Sequence, residues 1–245
     1  MSFEKKAIIF SIILLVTIKI AAQEKATEVN QFKNQIGIEI SDIIDGTIQL
    51  KYERLLGKHI SVGLGIGIKD EEGIIKLSGL DREQLKTGDI AYSGFKVIPE
   101  IRYYLNRTQQ YAMDGFYFGV YLKYSNFNSD LDGTYSNDVG DNFTIAFDAD
   151  IKVTSVGFMV GYKWAISKRF AIDFLIAGPG VGTYNFSLKN TQGLPDEFYD
   201  DFNDALDQYS LFDLLDGDFR FKATDEKSKF ILPSFRYGIS LNYSF

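Results

Sequence analysis

The sequence predicts an all-β fold: an eight-stranded antiparallel transmembrane β-barrel, built as an up-and-down meander with long extracellular loops. Three observations support this prediction. Phe (21) and Tyr (15) are abundant while Pro (4) is rare, and this composition favours strands over helices. Apolar and polar residues alternate along many segments, which is the periodicity of a strand. The connections between these segments are alternately short and long, as in exported membrane barrels.

The N-terminal region is predicted to be a cleaved export signal. Two lysines precede an apolar run at 7–18, and Ala21-Ala22 provides small residues for cleavage. This order of features is typical of a signal peptide. The alternative is a transmembrane anchor, but the run is short for a span of about 20 residues. The predicted organisation is a signal peptide at 1–22, a short periplasmic segment at 23–33 and the barrel domain at 34–245.

Strict alternation with a period of two identifies the strands. It is clearest in the last segment, FRYGISLNYSF, where six apolar residues from Phe235 to Phe245 alternate with polar or small ones. The same pattern occurs in eight segments, of which 170–177 is the loosest. The predicted strands are 36–41, 47–56, 59–68, 95–105, 116–125, 152–164, 170–177 and 231–245.

The connections predict how the barrel is oriented. The short ones are Gly57-Lys58, 106–114 and 165–169, and the long polar ones are 69–94, 126–151 and 189–229. Outer-membrane barrels have short periplasmic turns and long extracellular loops. An even number of strands places both chain ends on the same side, so a periplasmic N-terminus puts every long loop outside the cell.

The polar faces of the predicted strands carry charges of both signs. In a membrane barrel the apolar faces contact lipid, and intramembrane charges pair in the interior. A water-soluble barrel would reverse this facing and would not expose an unbroken apolar band. We therefore predict an ionic network in the lumen. Its members are Lys51, Glu53, Lys96, Glu100, Arg102, Lys123, Lys163, Asp173 and Arg236.

Aromatic residues cluster at the strand ends next to the short turns. Bands of Trp, Tyr and Phe mark the membrane interfaces of outer-membrane barrels. The alternative, aromatic core residues, does not explain why they gather at one end of different strands. The predicted periplasmic ring consists of Tyr103, Phe116, Tyr162, Trp164, Phe170, Tyr243 and Phe245.

Two features carry a resemblance to known families. The final strand, with Tyr237, Ile239, Leu241, Tyr243 and a terminal Phe245, resembles the sorting signal of outer-membrane barrels. The segments YERLLGKHISVGLGIGI (52–68) and VIPEIRYYL (97–105), which includes an E-x-R-Y-Y run, resemble small Bacteroidota-type outer-membrane barrels over roughly residues 34–245. These resemblances imply the outer membrane of a Gram-negative bacterium and recognition by the barrel-assembly machinery. They imply no activity.

Residues that could support chemistry are few. The chain has no Cys, which excludes disulfides and thiolate sites. The single histidine, His59, lies at a short turn, at the wrong end for an enzyme that acts on outer-leaflet lipid. The lumen carboxylates are more consistent with salt-bridge filling than with acid–base chemistry. In 130–138, the glycine comes too early for a Ca²⁺-binding loop of the helix–loop–helix kind.

The connection at 189–229 is unusually acidic. Phe198, Phe202, Ala205, Leu206 and Tyr209 recur at helical spacing, and Pro195-Asp196 suits a helix start. We predict a short amphipathic helix that covers the barrel mouth and turns its acidic face to solvent. The alternatives are a partner-binding surface or divalent-cation bridges to lipopolysaccharide.

The predicted function is a non-enzymatic structural or surface-binding role through the extracellular loops, without a cofactor. The expected partners are outer-membrane lipid, lipopolysaccharide and, during biogenesis, the barrel-assembly machinery. Nucleic acid is not expected, because the chain carries a net charge of −7, and loss of residues 1–22 makes it more negative. One alternative is a narrow channel or transport accessory, which needs an unfilled lumen. The other is a lipid-modifying barrel enzyme.

Overall fold

The structure is a computed structural model. The residues that it describes are 32–71, 79, 81, 83–89, 91–105, 111, 113–190, 194–206 and 227–245. The predicted export signal at 1–22 and nearly all of the predicted periplasmic segment lie outside these residues, as does most of the acidic connection. Among the described residues, no helix combines the length and the apolar character needed to cross a membrane.

The described residues form nine strands, one α-helix and a short 3₁₀ turn at Ser41–Asp45. The strands are β1 (Asn34–Glu39), β2 (Thr47–Leu55), β3 (Ile60–Lys69), β4 (Leu85–Thr87), β5 (Ser93–Tyr104), β6 (Gly115–Ser136), β7 (Asn142–Ala165), β8 (Phe170–Asn190) and β9 (Lys227–Ser244). The helix, α1 (Asp196–Leu206), begins at the residue where the acidic connection was predicted to become helical.

All nine strands belong to one antiparallel sheet that closes into a ring. β1 pairs with β2, β2 with β3, β3 with β5, and each later strand with the next. β9 then returns to β1, where the Phe245 N–H donates to the carbonyl oxygen of Asn34 at 2.9 Å. Closure gives each strand of the ring a neighbour on both sides, which removes the open edges of a flat sheet.

The predicted number of eight strands is wrong for the described residues. β4 is an additional strand, and Asp81 makes a further isolated bridge with Lys86. β4 pairs with β6 between Leu85–Tyr135 and Thr87–Gly133. It therefore lies beside the part of β6 that β5 does not reach. A strand of three residues is too short for its alternation to be recognised in the sequence.

The predicted long loop at 126–151 is also wrong. Except for the turn at 137–141, these residues continue β6 and β7, which pair without interruption from Gly115–Lys163 to Ser136–Asn142. β8 likewise runs to Asn190 instead of ending at 177, with an irregularity in its pairing near Leu175. We call the parts of β6, β7 and β8 that pass beyond β5 the extensions.

The part of the ring near the tight turns exposes apolar side chains and buries charged ones. On β7, Phe158 is 73% exposed, whereas Arg102 and Lys163 on the opposite face of the sheet are 0% exposed. The outward residues of β6 in this part are exposed and apolar: Phe116, Phe118, Val120, Leu122 and Tyr124. This is the reverse of the arrangement in a water-soluble domain, where apolar side chains form the core.

The facing is reversed in the extensions. The outward positions of β6 become polar after Tyr124, at Asn126 and Asn128 beside β5, and stay polar in the extension at Asp130 and Asp132. The inward face of the extensions carries the buried side chains of Tyr135, Ile145 and Phe147, and α1 packs on them. The resulting core contains Leu85, Tyr135, Ile145, Phe147, Phe198 and Phe202. The extensions and α1 thus have the ordinary polarity of a domain in water.

The contact between α1 and the extensions is aromatic and polar. Phe198 lies against the rings of Tyr135 and Phe147, with centroids 5.2 and 5.6 Å apart. The Tyr135 hydroxyl donates to the Asp201 carboxylate at 2.5 Å, and burial together with this carboxylate raises the pKa of Tyr135. The predicted amphipathic helix is therefore confirmed. The side chains of Ala205 and Leu206, and all of Tyr209, lie outside the described part of the chain.

Candidate functional site in the ring interior

The interior of the ring is filled by a balanced set of charges. Four acids and four bases form consecutive ion pairs across it. They are Glu39, Glu53, Glu100, Asp173, Lys51, Arg102, Lys163 and Arg236, and we call them the ionic plug. Period-two alternation brings them together, because one face of every strand points inward.

Arg102 lies at the centre of the ionic plug and contacts three carboxylates. Its Nη2 lies 2.6 Å from Glu100, and its Nη1 lies 2.7 Å from Asp173 and 3.4 Å from Glu53. The guanidinium carbon lies 4.4 Å from the centre of the Tyr117 ring. A charge that is fully removed from water needs close opposite charges and hydrogen bonds to compensate its lost hydration. Arg102 has both.

Two lysines connect the remaining carboxylates. Lys163 Nζ lies 2.5 Å from Glu53 Oε2 and 2.6 Å from Gln35 Oε1. Lys51 Nζ bridges Glu39 and Asp173, at 3.4 Å from each. Each carboxylate of the ionic plug therefore has a basic partner, and the interior charges compensate one another without solvent.

Tyrosines fill the space between the charges, and glycines make room for them. The Tyr117 hydroxyl donates to Asp173 at 2.8 Å, and the Tyr104 hydroxyl donates to Glu53 at 2.6 Å. A Cβ atom at Gly161 would collide with the Tyr117 hydroxyl. Glycine at this inward position is thus required by the close approach of the tyrosine ring on the neighbouring strand.

The structure brings most of the predicted network together. Seven of the nine predicted residues are in the ionic plug: Lys51, Glu53, Glu100, Arg102, Lys163, Asp173 and Arg236. Lys96 lies apart from it and pairs with Asp42 at 2.5 Å. Lys123 faces inward but has no carboxylate at ion-pair distance among the described residues.

Sequence reasoning missed several residues of the interior. Glu39 lies on the polar face of a predicted strand, and the alternation places it among the inward charges, although the predicted network omits it. The alternation that places Tyr103 and Phe116 outward places Tyr104 and Tyr117 inward, but the predicted network contains charged residues alone. Asp42 lies in the 3₁₀ turn rather than in a strand, and no periodic signal marks it.

The predicted aromatic ring lies around the tight-turn end. Tyr103, Phe116, Trp164, Phe170 and Phe245 are exposed, and Tyr162 and Tyr243 are partly exposed. Neighbouring strands place these rings in contact: Phe116 with Tyr162 at 4.8 Å, and Phe170 with Tyr243 at 5.3 Å. His59 lies at the same end, where its ring stacks on Tyr103 and its Nδ1 lies 2.8 Å from the Tyr104 carbonyl oxygen.

The residues of the predicted sorting signal lie on the outward face of β9. Tyr237 is 73% exposed, and Ile239, Leu241 and Phe245 are exposed as well. Tyr243 is partly exposed. Recognition of this strand by an assembly machinery stays a prediction. Within the described residues, no group of three or more His, Asp or Glu side chains is arranged to hold a metal ion.

Comparison with known proteins gives a family and one similar structure. A family model described as "Protein of unknown function (DUF3575)" matches residues 8–191. The crystal structure of a major outer membrane protein from Thermus thermophilus is 14% identical, covers 89% of this chain and 100% of its own, and has a TM-score of 0.35. No curated protein matches the chain. The Bacteroidota-type resemblance of 52–68 and 97–105 stays a prediction.

Proposed function

The chain belongs to the DUF3575 family of proteins of unknown function, and we propose that it is an outer-membrane β-barrel. In this proposal the ring crosses the bilayer, and the extensions and α1 stand outside the cell. The single observation that carries it is the reversal of facing along β6 and β7. The same two strands expose apolar residues at one end and polar residues at the other, so each end suits a different solvent.

The height of the apolar band supports the proposal. On β6 the exposed apolar positions run from Phe116 to Tyr124, and eight steps of about 3.3 Å span about 26 Å along the strand. Strands of membrane barrels tilt by about 40°, which reduces this span to a height of roughly 20 Å. The apolar band of outer-membrane barrels is about 25 Å tall. The exposed band thus has nearly the height that lipid requires.

Backbone pairing supports the same conclusion. Lipid cannot hydrogen-bond to N–H and C=O groups, so only helices and closed sheets cross membranes. The pairing of β9 with β1 supplies the closure. The predicted export signal and the outward aromatic residues of β9 are consistent with outer-membrane insertion by the barrel-assembly machinery, which is part of the proposal.

The filled interior favours a structural or surface-binding role over a channel. Arg102, Lys163 and Tyr117 are all fully buried at the centre of the ring. A conducting pore would need water at this level. We therefore propose that the ring anchors the protein, and that the extensions and loops bind partners outside the cell, with lipid and lipopolysaccharide around the ring. Catalysis is not part of the proposal.

Trp164 provides the experiment, because it is the single tryptophan of the chain. It is 53% exposed and lies in the aromatic ring at the tight-turn end. The protein is reconstituted into vesicles that contain lipids brominated at shallow or deep positions of the acyl chain. We expect shallow bromines to quench Trp164 fluorescence more strongly than deep ones.

Two variants provide the depth scale. In a Trp164→Phe background, Phe158→Trp places the indole near the middle of the apolar band, where deep bromines should quench it most. Val139→Trp in the same background places it in the exposed turn between β6 and β7, where no bromine should quench it. Equal quenching at all three positions, or none at Trp164 and position 158, would contradict the membrane proposal.

A further inference from the structure

A layer of basic and hydroxyl side chains lies above the ionic plug, on the inward face of β5, β6 and β7. Lys96 is directly opposite Ser125, and Lys123 is directly opposite Ser155. Side chains at directly opposite positions of neighbouring strands have Cβ atoms about 5 Å apart. The four residues therefore form one patch, which we call the upper layer.

The upper layer contains buried polar groups that lack partners. The hydroxyls of Ser125 and Ser155 belong to residues that are 0% and 2% exposed, and neither makes a hydrogen bond. Nη1 of Arg236, at the top of the ionic plug, also makes none, and its nearest carboxylate oxygen is 3.7 Å away on Glu100. Buried polar groups are nearly always hydrogen-bonded in native proteins, and three of the seven buried side-chain atoms that lack a hydrogen bond in the described residues lie at this level.

The charge of Lys123 in the upper layer is also uncompensated. Lys96 pairs with Asp42, but Lys123 has no such partner among the described residues. The bases Lys96 and Arg236 and the acids Asp42 and Asp45 all lie near enough to act on the charge of Lys123. Like charges held together in a partly buried space repel one another unless an anion lies between them.

The upper layer is less completely buried than the centre of the ionic plug. The side chains of Lys96 and Arg236 are 11% and 10% exposed, whereas those of Arg102 and Lys163 below them are 0% exposed. Lys123 is partly exposed. The upper layer therefore keeps a residual contact with solvent that Arg102 and Lys163 do not have.

We propose that the upper layer binds a phosphate group, held by Lys123, Arg236 and the hydroxyls of Ser125 and Ser155. Arg236 shares its charge with Glu100, so the positive charge that lacks a partner is that of Lys123, and the four residues together offer four sets of donors. Phosphate presents more strong acceptor oxygens than a carboxylate does, so it can accept from more of these donors. This inference concerns the interior of the ring and does not depend on the solvent around it.

Calorimetric titration of the purified full-length protein in detergent tests the proposal, with inorganic phosphate in one arm and glycerol 1-phosphate in the other. Chloride at equal ionic strength is the reference for both. We expect saturable binding of phosphate. Tighter binding of the monoester identifies a phosphorylated solute as the ligand, and equal or weaker binding identifies free phosphate. Binding of neither probe above the chloride reference would overturn the proposal.

Variants distinguish a binding site from a structural role. Lys123→Gln, and the double change Ser125→Ala with Ser155→Ala, should each weaken phosphate binding about tenfold or more, because each removes donors to a charged ligand. Lys152→Gln removes an outward, exposed lysine of β7 and should leave binding unchanged.

Stability in phosphate-free chloride is the second measurement. Lys123→Gln should unfold no earlier than the wild type there, because it removes repulsion with Lys96 and Arg236. Earlier unfolding of this variant without phosphate, or an equal loss of binding in Lys152→Gln, would show that Lys123 is a structural counter-ion and would overturn the proposal.

Discussion

Arg102 determines whether the interior charges compensate one another. It contacts the three carboxylates of Glu53, Glu100 and Asp173. Its removal therefore takes a basic partner from three carboxylates and not from a single one. Its neighbour Tyr103 points to the opposite side of the sheet and is 47% exposed. Two adjacent residues of one strand therefore contribute to stability through different surroundings.

Arg102→Ala should destabilise the protein by roughly 3–5 kcal/mol, the usual cost of stranding buried charges by removing one partner. Tyr103→Ala should cost much less, because its outward side chain compensates no buried charge. The measurement is the free energy of unfolding in urea, with the protein reconstituted in lipid. Equal and small losses in the two variants would show that the facing of β5 is assigned incorrectly.

The sequence predicts which charges face inward but not how they pair. Alternation assigns Lys51, Glu53 and Arg102 to the same side of their strands. The partner of each charge depends on how far neighbouring strands are offset around the ring, and no local pattern contains that offset. Asp42 illustrates the limit, because a 3₁₀ turn between strands brings it to Lys96.

At the scale of the elements, the long extensions show where the alternation of apolar and polar residues led to a wrong prediction of strand ends. The segment 126–151 continues the strands β6 and β7, but its apolar residues lie on the inward face. Its outward face carries Asp130 and Asp148, directly opposite each other. Such exposed acidic residues are also typical of a polar loop, and this explains the wrong prediction. In this segment the polar residues indicate that the apolar face of the strands changes from outward to inward. The strands themselves continue.

The end of β9 has two separable contributions. The backbone of Phe245 exchanges hydrogen bonds with Asn34, at 2.9 and 3.3 Å, and so closes the ring. Its side chain lies on the outward face and is 48% exposed. The backbone contribution concerns stability, and the side chain is the part that the sorting-signal hypothesis requires.

Deletion of Phe245 should impair insertion into the outer membrane without affecting export to the periplasm. Phe245→Ala keeps the closing backbone and should impair insertion to a similar degree if the aromatic side chain is the signal. The measurement is the fraction of protein in the outer-membrane and periplasmic fractions of cells. Insertion of Phe245→Ala at the wild-type level would show that assembly does not require the aromatic side chain. That result would contradict the sorting-signal hypothesis.

At the scale of the whole molecule, the two ends of the ring differ in their connections. The turns at the aromatic end are short, including the one at 166–169 between β7 and β8. At the other end, the extensions and α1 form a small domain of ordinary polarity over the inward face. The lengths of the connections predict this asymmetry from the sequence, although 126–151 forms strand extensions instead of a loop. The packing of α1 on Tyr135 and Phe147 could not be predicted, because it joins segments that are distant along the chain.

The asymmetry predicts which parts of the chain are reachable from outside the cell. Val139 is 84% exposed at the tip of the β6–β7 hairpin, on the polar side of the apolar band. An epitope tag inserted after Val139 should therefore be bound by antibody on intact cells. A tag near Gly193, in the acidic connection and outside the described residues, should behave in the same way, because an even number of crossings separates it from the first tag.

A third tag, inserted after Lys168 in the tight turn between β7 and β8, is the matched control. It should be bound only after the outer membrane is permeabilised, because one crossing of the apolar band separates it from Val139. All three proteins must first show the same shift in gel mobility on heating, so that each is known to be folded. If the tag at 168 is bound on intact cells and the tag at 139 is not, the orientation is inverted. The extensions and α1 would then face the periplasm, where they could not bind partners outside the cell.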